Sequence, residues 1–229
     1  MDAEALLAVL QLADGLFPAG GFAHSLGLET YVDEGRVVDR AGVEAFLRAH
    51  LEGSAGPADA VAVAWAAGRA AVGDLTGCLD VDARLDAMKW VPEFRAASRQ
   101  LGHQTARVGA ALGADPFLGA LEAAVREDRT PGHHAAVFGA VAGRQGAGPE
   151  PAAAAFLYTT AAALATAALR LLRLGQLDAQ RVLAAVRPLV ARLARAAAAR
   201  RPRDMWSFTP GLELAGVRHA ALEARLFRS

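Results

Sequence analysis

Apolar residues recur every three or four positions through most of this 229-residue chain. That spacing places them on one face of an α-helix, which completes a turn about every 3.6 residues. The first run, Glu4–Ala13, carries Leu6, Leu7 and Leu10 and predicts a short amphipathic helix. No run alternates apolar and polar residues with a period of two, the pattern of a half-buried strand. The pattern therefore predicts an all-α fold.

Capping residues, prolines and glycines predict where the helices begin and end. Asp39 is expected to cap a helix that stops at Gly53, and Pro57 to open the next helix. Asp74, Asp115 and Asp178 are expected to cap three later helices. The other predicted helices cover residues 22–35, 74–88, 93–112, 117–127, 133–141, 151–174 and 211–227. Because no linker or fixed repeat interrupts them, we expect a single-domain bundle of about ten helices over residues 1–229.

The stretch from residue 14 to residue 29 contains most of the uncommon polar choices in an alanine-rich chain. A turn at Pro18 and Gly20 is expected to lead into a helix from about Phe22. On such a helix Ser25 and Glu29 lie within an apolar stripe, where polar groups need partners. Those partners are either a neighbouring helix of the same subunit or a second protein, and the residues alone leave both alternatives open.

Composition and charge exclude several classes of protein. Hydrophobic residues make up 54% of the chain and the formal net charge is zero. This excludes a disordered chain and a general attraction to nucleic acid or an anionic membrane. Cys78 is the only cysteine, which excludes a disulfide framework and a cysteine-rich metal cage, and is consistent with a reducing compartment. The N-terminus lacks the basic start of a secretory signal.

Residues 152–169 are free of charge and about as long as a minimal membrane span. Alanine dominates this segment, however, and it contributes little to membrane insertion. Arg170 and Arg173 follow immediately. We therefore expect a helix buried at the centre of the bundle and no membrane association.

Motifs that would indicate catalysis or a bound cofactor are absent from the sequence. There is no Gly-x-Ser-x-Gly elbow, no His-Glu-x-x-His and no phosphate-binding loop. His24 and Ser25 are adjacent, so on a helix they diverge and cannot form a nucleophile–base pair. His133 and His134 diverge likewise, which favours a structural or solvent role over a metal site. We predict no enzyme, no cofactor and no resident metal; a transient metal contact through His24 or a dimer-related histidine remains open.

Six arginines and one acid lie between Arg187 and Asp204. A basic helical nucleic-acid module is one interpretation, but no aromatic residue is interleaved before Trp206. We favour a solvated helix face over the nucleic-acid module. A protein-docking surface is a third interpretation, ranked between these two.

The C-terminus places Leu226 and Phe227 between Arg225 and Arg228. Chain ends fray unless they dock, so large apolar side chains here predict docking on the protein's own core or in a partner's groove. The residues alone leave both alternatives open.

Two terminal motifs carry a resemblance to the urease accessory protein UreF family. The first departs from the family pattern at Gly15, where serine is usual, and the second at Ala220 and Glu223, where glutamate and tyrosine are common. The matches in the first motif are Asp14, Pro18, Gly20, Gly21, Phe22, His24, Ser25, Gly27, Leu28 and Glu29. Those in the second are Arg218, His219, Arg225, Leu226, Phe227, Arg228 and Ser229. Interior matches are Glu93, Arg95, Ser98, Gly102, Gly132, His133, Phe138, Gly139, Leu169–Leu171, Leu174–Gln176 and Gln180.

The resemblance implies an all-α, cytosolic, usually dimeric chaperone. It would link the nickel-carrying GTPase UreG to UreD (UreH in some systems) and apo-urease, and regulate GTP-dependent nickel insertion. Residues 14–29 would face the GTPase or the second subunit, and the C-terminal helix, within a partner-docking segment at residues 205–229, would bind UreD. The partner-binding residues are then Asp14, Pro18, Gly20, Phe22, His24, Ser25, Gly27, Glu29, Arg218, His219, Arg225, Leu226, Phe227 and Arg228. The alternatives are a small hydrolase using His24 or Glu29, and a nucleic-acid module centred on Arg187–Arg203.

Overall fold

The computed structural model describes residues 1–228, which form eleven α-helices and no β-strand. This confirms the predicted all-α bundle of about ten helices. The helices are α1 (Ala3–Ala13), α2 (Leu28–Asp33), α3 (Arg40–His50), α4 (Ala60–Ala71), α5 (Leu75–Met88), α6 (Pro92–Leu112), α7 (Pro116–Arg126), α8 (His134–Arg144), α9 (Pro149–Leu171), α10 (Gln176–Ala198) and α11 (Pro210–His219). Short 3₁₀ turns lie at Gly21–Ala23 and Pro202–Asp204.

Several helices begin at the aspartates that local chemistry predicts. Asp39 accepts the Gly42 N–H at 2.8 Å at the start of α3, and Asp74 accepts the Gly77 N–H at 2.9 Å at the start of α5. Each carboxylate satisfies a backbone donor that has no partner within its helix. At α10 the prediction is wrong in detail: the cap is Gly175, and Asp178 in the first turn accepts its N–H at 3.2 Å.

The core lies where α4 crosses α8 and packs against α9 and α10. A Cβ added at Gly139 would clash with the Val63 carbonyl oxygen, and one at Gly143 with that of Ala67. Only glycine therefore lets the backbones of α4 and α8 approach this closely. Alanines supply most of the remaining buried surface of these helices, which keeps them in close contact.

Helix α9 is the one described helix long and apolar enough to cross a membrane, and half of its apolar window is buried inside the protein. Its buried side, with Phe156, Leu157 and Leu164, packs into the core. The prediction of a fully central helix is therefore only partly right, because part of the helix lines a cavity described below.

The predicted break between Gly53 and Pro57 is wrong. Residues Leu51–Asp59 instead form a π-helical segment that joins α3 to α4. Pro57 has no N–H to donate back along the helix, which leaves one carbonyl group about one turn earlier without its helical donor. The Phe208 N–H bonds the Gly53 carbonyl at 2.8 Å, and the Trp206 N–H bonds the Pro57 carbonyl at 3.3 Å. A distant segment therefore donates two backbone hydrogen bonds to this π-helical segment.

The two helices at the terminal motifs are shorter than predicted. Helix α2 begins at Leu28 and not near Phe22, because Leu26 and Gly27 have positive φ angles of 50° and 88° that turn the chain just before it. Helix α11 ends at His219 and not at Phe227. In α1 the buried residues are Ala5, Val9 and Leu12, so the leucines of the predicted apolar face are exposed to solvent.

Candidate functional site

The two terminal motifs meet at the carboxylate of Glu29. Its Oε1 accepts the Leu226 N–H at 2.6 Å, and its Oε2 accepts the Phe227 N–H at 3.1 Å. Glu29 is buried and lies in the first turn of α2, and Ser25 Oγ accepts its backbone N–H at 3.3 Å. The side chain therefore binds residues 220–228, which we call the C-terminal clasp. Of the two alternatives for Glu29, an intramolecular partner is the one present in this structure.

His219 joins the same cluster from the last turn of α11. Its Nε2 lies 2.9 Å from Glu29 Oε2, and its Nδ1 lies 2.7 Å from Glu93 Oε2. The imidazole is fully buried. Arg225, on the clasp, donates to Glu93 Oε1 at 3.1 Å. Three helices and the clasp are thus held by a single group of charged side chains.

Phe227 anchors the clasp, with only 4% of its surface exposed. The Arg170 guanidinium lies 4.4 Å from the centre of its ring, a cation–π contact, and donates to the Phe22 carbonyl at 3.1 Å. One residue further, the Arg228 N–H donates to the Ala23 carbonyl at 2.8 Å. The loop that precedes α2 is therefore fastened to the clasp by backbone and side-chain contacts.

Close packing of α2, α6 and α11 sets this geometry. A Cβ at Gly27 would lie 3.3 Å from the Leu212 carbonyl oxygen, and one at Gly216 would clash with the ring of Phe94. Thr30 Oγ1 donates to the Ala215 carbonyl at 3.1 Å. These small and hydrogen-bonded residues let α11 approach closely enough for His219 to reach both glutamates.

The predicted partner-binding residues divide into a buried set and an exposed set, and a partner-binding role stays a prediction for both. The buried set holds the clasp and loop in place: His24, Ser25, Gly27, Glu29, His219 and Phe227. The exposed set surrounds it: Asp14, Pro18, Gly20, Phe22, Arg218, Arg225, Leu226 and Arg228. Burial, with a smaller effect of the Arg228 charge, lowers the pKa of His24. Asp14 caps its own turn through the Leu16 N–H, and Arg218 pairs with Glu34 at 3.1 Å.

Sequence reasoning missed three parts of this region. Glu93 and Arg170 were noted only as interior matches, although both contact the terminal motifs directly. The third missed part is a group of exposed leucines. They are Leu6, Leu7 and Leu10 on α1, and Leu16 in the loop that follows. Two signals place the core on the opposite face of α1: the small side chain of Ala5, which is buried, and the spacing of Val9 and Leu12.

A second buried network holds the turn before α8. The Asp82 carboxylate accepts the N–H groups of Gly132 and His133 at 2.6 and 2.7 Å. The His133 ring contacts Ser98 Oγ and Asp86 Oδ1, both at 3.0 Å. Burial, together with the charge of Lys89, lowers the pKa of His133. Burial alone would raise the pKa of Asp86, but hydrogen bonds from His133 and Arg95 outweigh it and the pKa is lowered.

The order Ser98–His133–Asp86 resembles a hydrolytic relay, but its setting does not support one. Ser98 lies in the middle of α6, where neighbouring backbone N–H groups belong to the helix and do not form an oxyanion hole. The network joins α5, α6 and the turn before α8, which is a structural role. Of the two residues named for the alternative hydrolase, His24 and Glu29, the second is bonded to His219 and the clasp.

A cavity of about 280 Å³ lies between the core and the loop that precedes α2. Its wall includes His50 and His134, and burial lowers the pKa of each to about 4, so both are neutral at physiological pH. Lys89, the only lysine, pairs with Asp59 of the π-helical segment at 2.7 Å. Over residues 1–228, no three His, Cys, Asp or Glu side chains are grouped to hold a metal ion.

The arginine-rich run is partly neutralised. Arg192 pairs with Glu52 at 2.7 Å, Arg195 with Glu150 at 3.6 Å, and Arg203 with Asp204 at 3.9 Å. Pairing of this kind favours a solvated protein face over a phosphate-binding surface.

Comparison with known proteins gives the same family across the whole chain. The UreF family model matches residues 37–187. Urease accessory protein UreF of Bacillus sp. (strain TB-90) is 30% identical over 224 residues, covering 98% of this chain and 99% of that protein. UreF of Paenarthrobacter aurescens (strain TC1) is 33% identical over 229 residues, with both chains fully covered. UreF of Rhodopseudomonas palustris (strain BisA53) is 37% identical over 236 residues, covering 99% and 94%.

The family model stops short of both terminal motifs, whereas these full-length relatives extend over them. With the resemblance of the motifs and the all-α fold, the conclusion is direct: the chain belongs to the UreF family of urease accessory proteins.

Proposed function

We propose that this chain is a non-catalytic, cytoplasmic chaperone that links the GTPase UreG to UreD (or UreH) and apo-urease during nickel insertion. The observation that carries the proposal is the meeting of the two terminal motifs at Glu29 and His219. Family membership supports a role in urease maturation. The joined motifs support a single partner-binding surface formed by the loop before α2 and the C-terminal clasp.

The exposed side chains on this surface suit a protein partner. Phe22 and Leu226 are both more than half exposed, and Arg225 and Arg228 lie beside them. Aromatic and arginine side chains dominate the binding energy of many protein interfaces. Glu29 then acts from beneath the surface, holding its geometry instead of pairing with a partner's arginine. We assign the loop side of this surface, residues 14–29, to UreG or the second subunit, and the clasp with α11 to UreD.

The exposed leucines of α1 support a second protein contact. Leu6, Leu7 and Leu10 lie on one helix, and Leu16 follows in the loop. Contiguous apolar surface of this kind marks an interaction site in soluble proteins. A homodimer and a UreD complex both provide a surface to cover it, and the sizes of the complexes distinguish them.

Nickel is the cargo of the assembly and not a resident cofactor of this chain. The regulatory role requires that this protein bind one nucleotide state of UreG more tightly than the other, because a ligand with equal affinity for both states shifts nothing. The chaperone then couples the nucleotide state to the release of nickel without forming or breaking a covalent bond.

Size-exclusion chromatography with light scattering tests this proposal. The purified chain is run alone and then mixed with UreD and UreG, with GDP or GTP and nickel. We expect a dimer that assembles with both proteins and whose UreG content depends on the nucleotide. A monomer that ignores both partners would refute the proposal. A complex with UreD alone would retain the docking role and refute the regulation of UreG.

A further inference from the structure

Most polar side chains on the wall of the cavity are already bonded within the protein. Thr159 Oγ1 donates to the Ala13 carbonyl at 3.3 Å, and Thr160 Oγ1 donates to the Phe156 carbonyl at 2.9 Å. The hydroxyl of Ser98 belongs to the buried network that holds the turn before α8. These groups have little hydrogen-bonding capacity left for a ligand.

The rings of His50 and His134 are different. Within residues 1–228, neither ring makes a hydrogen bond. Both histidines lie deep in the fold, where burial lowers the pKa of each to about 4, yet both are only partly buried by accessible surface. In the interior such surface belongs to the wall of the cavity, which both residues line. The unbonded ring nitrogens therefore face the cavity.

Two neutral imidazoles supply both kinds of hydrogen-bonding atom. Each ring has one N–H and one lone pair, whichever nitrogen carries the proton. The ring of His134 is held in place by Phe138 and Phe156, whose ring centres lie 5.8 and 5.3 Å away. The cavity therefore offers donors and acceptors to a ligand without depending on the tautomer of either histidine.

The polar part of the cavity carries no net charge. The charges of Lys89 and Asp59 act on both histidines, so the four side chains lie near one another. The Lys89 ammonium is 2.7 Å from the Asp59 carboxylate, and the pair is neutral as a whole. A charged ligand would lose its hydration here without gaining an opposite charge. Over residues 1–228, no third ligand group joins the two rings to hold a metal ion.

The rest of the wall is mostly apolar, with side chains such as Leu12, Phe17, Leu85, Phe94 and Leu164. Water is well held only where it finds two to four polar partners, so most of this wall suits an apolar body instead. The volume of about 280 Å³ exceeds the roughly 150 Å³ of an apolar cavity that binds benzene. It approaches about 300 Å³, the lower end of the range for ligand pockets. The cavity therefore has room for a substituted aromatic ring.

We propose that this cavity is a binding site for a small uncharged molecule with an aromatic body and one polar group that both donates and accepts a hydrogen bond, as a phenol does. The polar group bonds the ring nitrogens of His50 and His134 that the protein leaves unbonded. The aromatic body packs against the apolar wall, where it replaces poorly held water.

The site adjoins the loop that precedes α2, because Phe17, Phe22 and Leu26 line the same cavity. A ligand would contact this loop from the inside, beneath the surface assigned to partners. Occupancy would then favour the loop conformation seen here and change partner affinity, a consequence that rests on the proposed function. Binding itself is a property of the isolated chain, so its test is independent of partner assembly.

Calorimetric titration of the full chain at about pH 7 with three probes of similar shape tests the site. The probes are p-cresol, toluene and 4-methylbenzoate, which carry a hydroxyl group, no polar group and a negative charge. We expect p-cresol to bind about three- to tenfold more tightly than toluene, the ratio that one hydrogen bond contributes. It should also shift the ring ¹⁵N signals of His50 and His134, whereas 4-methylbenzoate should not bind.

Three results would overturn the proposal. They are the absence of p-cresol binding at millimolar concentration, equal affinity for p-cresol and toluene, and a preference for 4-methylbenzoate or Ni²⁺ over p-cresol.

Variants locate the site. Ala163 lines the cavity, so Ala163→Phe should fill it and abolish binding of p-cresol and toluene. Ala184→Phe, at an exposed position of α10, is the matched control and should leave both affinities unchanged. His50→Leu combined with His134→Leu should retain toluene binding and lose the preference for p-cresol. If a cavity variant fails to fold, the ring shifts of the wild-type chain still decide the location. Unchanged p-cresol binding in folded Ala163→Phe would place the probe elsewhere and overturn the proposal.

Discussion

Glu29 and His219 lie 190 positions apart in the chain, yet Oε2 of the first and Nε2 of the second are 2.9 Å apart. The carboxylate that reaches back to His219 also holds the clasp, and the clasp holds the loop that precedes α2. A disturbance at either end of the chain therefore has a short, continuous route to the other. This contact makes the two family motifs one structural unit.

Replacing Glu29 should release the clasp while the bundle stays folded. Glu29→Ala leaves the N–H groups of Leu226 and Phe227 and the His219 ring without their acceptor, a loss of about 1–3 kcal/mol for each buried group left unsatisfied. We expect faster amide exchange confined to residues 220–228, unchanged helix content, and a large loss of urease activation. Glu34→Gln, which removes only the surface pairs with Arg218 and Arg36, is the control.

A cooperative loss of the whole fold in Glu29→Ala would contradict this prediction. It would show that the carboxylate is needed by the core and that the clasp is not a separable unit. If urease activation were retained while the clasp was released, the docked clasp would not be needed for function.

Truncating the anchor of the clasp should have the same local effect by a different route. Phe227→Ala removes a buried ring and its contact with Arg170, and large-to-small changes of this type cost about 3–5 kcal/mol. Tryptic cleavage after Arg225 should become rapid, followed by loss of UreD binding in a pull-down. Phe208→Ala, at a ring that is 75% exposed, should change neither readout. Equal cleavage rates in the two variants would refute the anchoring role.

A helix boundary could be predicted from the sequence where the interaction that fixes it is local. Asp39, Asp74 and Asp115 act on N–H groups two or three residues away, and the helices they cap begin as predicted. The π-helical segment could not be predicted, because it depends on an N–H donor from Phe208 far along the chain.

The candidate site shows the same division. Each terminal motif was recognisable, but their meeting is a tertiary contact that no local pattern encodes. Leu26 adopts a positive φ of 50° where a helix was expected, because Gly27 packs against α11. The exposed face of α1 was misassigned for a related reason: hydrophobicity favours its leucines, whereas close packing selects Ala5.

The glycine crossing of α4 and α8 should be intolerant of a single methyl group. Gly139→Ala forces the new Cβ against the Val63 carbonyl, so the helices must separate, at a cost of about 1–3 kcal/mol. Gly119→Ala is the matched control, because α7 is helical there and nothing lies within 4 Å of the new Cβ. That variant should gain up to about 1 kcal/mol from helix propensity. Chemical denaturation of both measures the difference, and similar stabilities would contradict the close crossing.

Acid should destabilise the protein through the histidines of the cavity. The pKa values of His50 and His134 are lowered to about 4 by burial, whereas an unfolded histidine titrates near about 6.5. Between these values the unfolded chain binds more protons, so the free energy of unfolding falls as the pH drops from about 6.5 to about 4. Each histidine contributes about 1–3 kcal/mol. His134→Gln should make the free energy of unfolding depend less steeply on pH, because up to one proton fewer is taken up on unfolding. An unchanged pH dependence would refute the contribution of His134.

The leucines of α1 should matter for assembly and not for folding. Leu7 is 66% exposed and Leu10 is 55% exposed, so replacing both with serine removes little buried surface and should leave the melting temperature within about 2 °C. If a partner protein covers this face, the double variant should no longer form the dimer or the UreD complex in light scattering. Leu12→Ala, on the buried face of the same helix, is the opposite control, because it should lower the melting temperature. A double variant that assembles normally would leave the exposed leucines without a role in binding and would place the interfaces elsewhere on the chain.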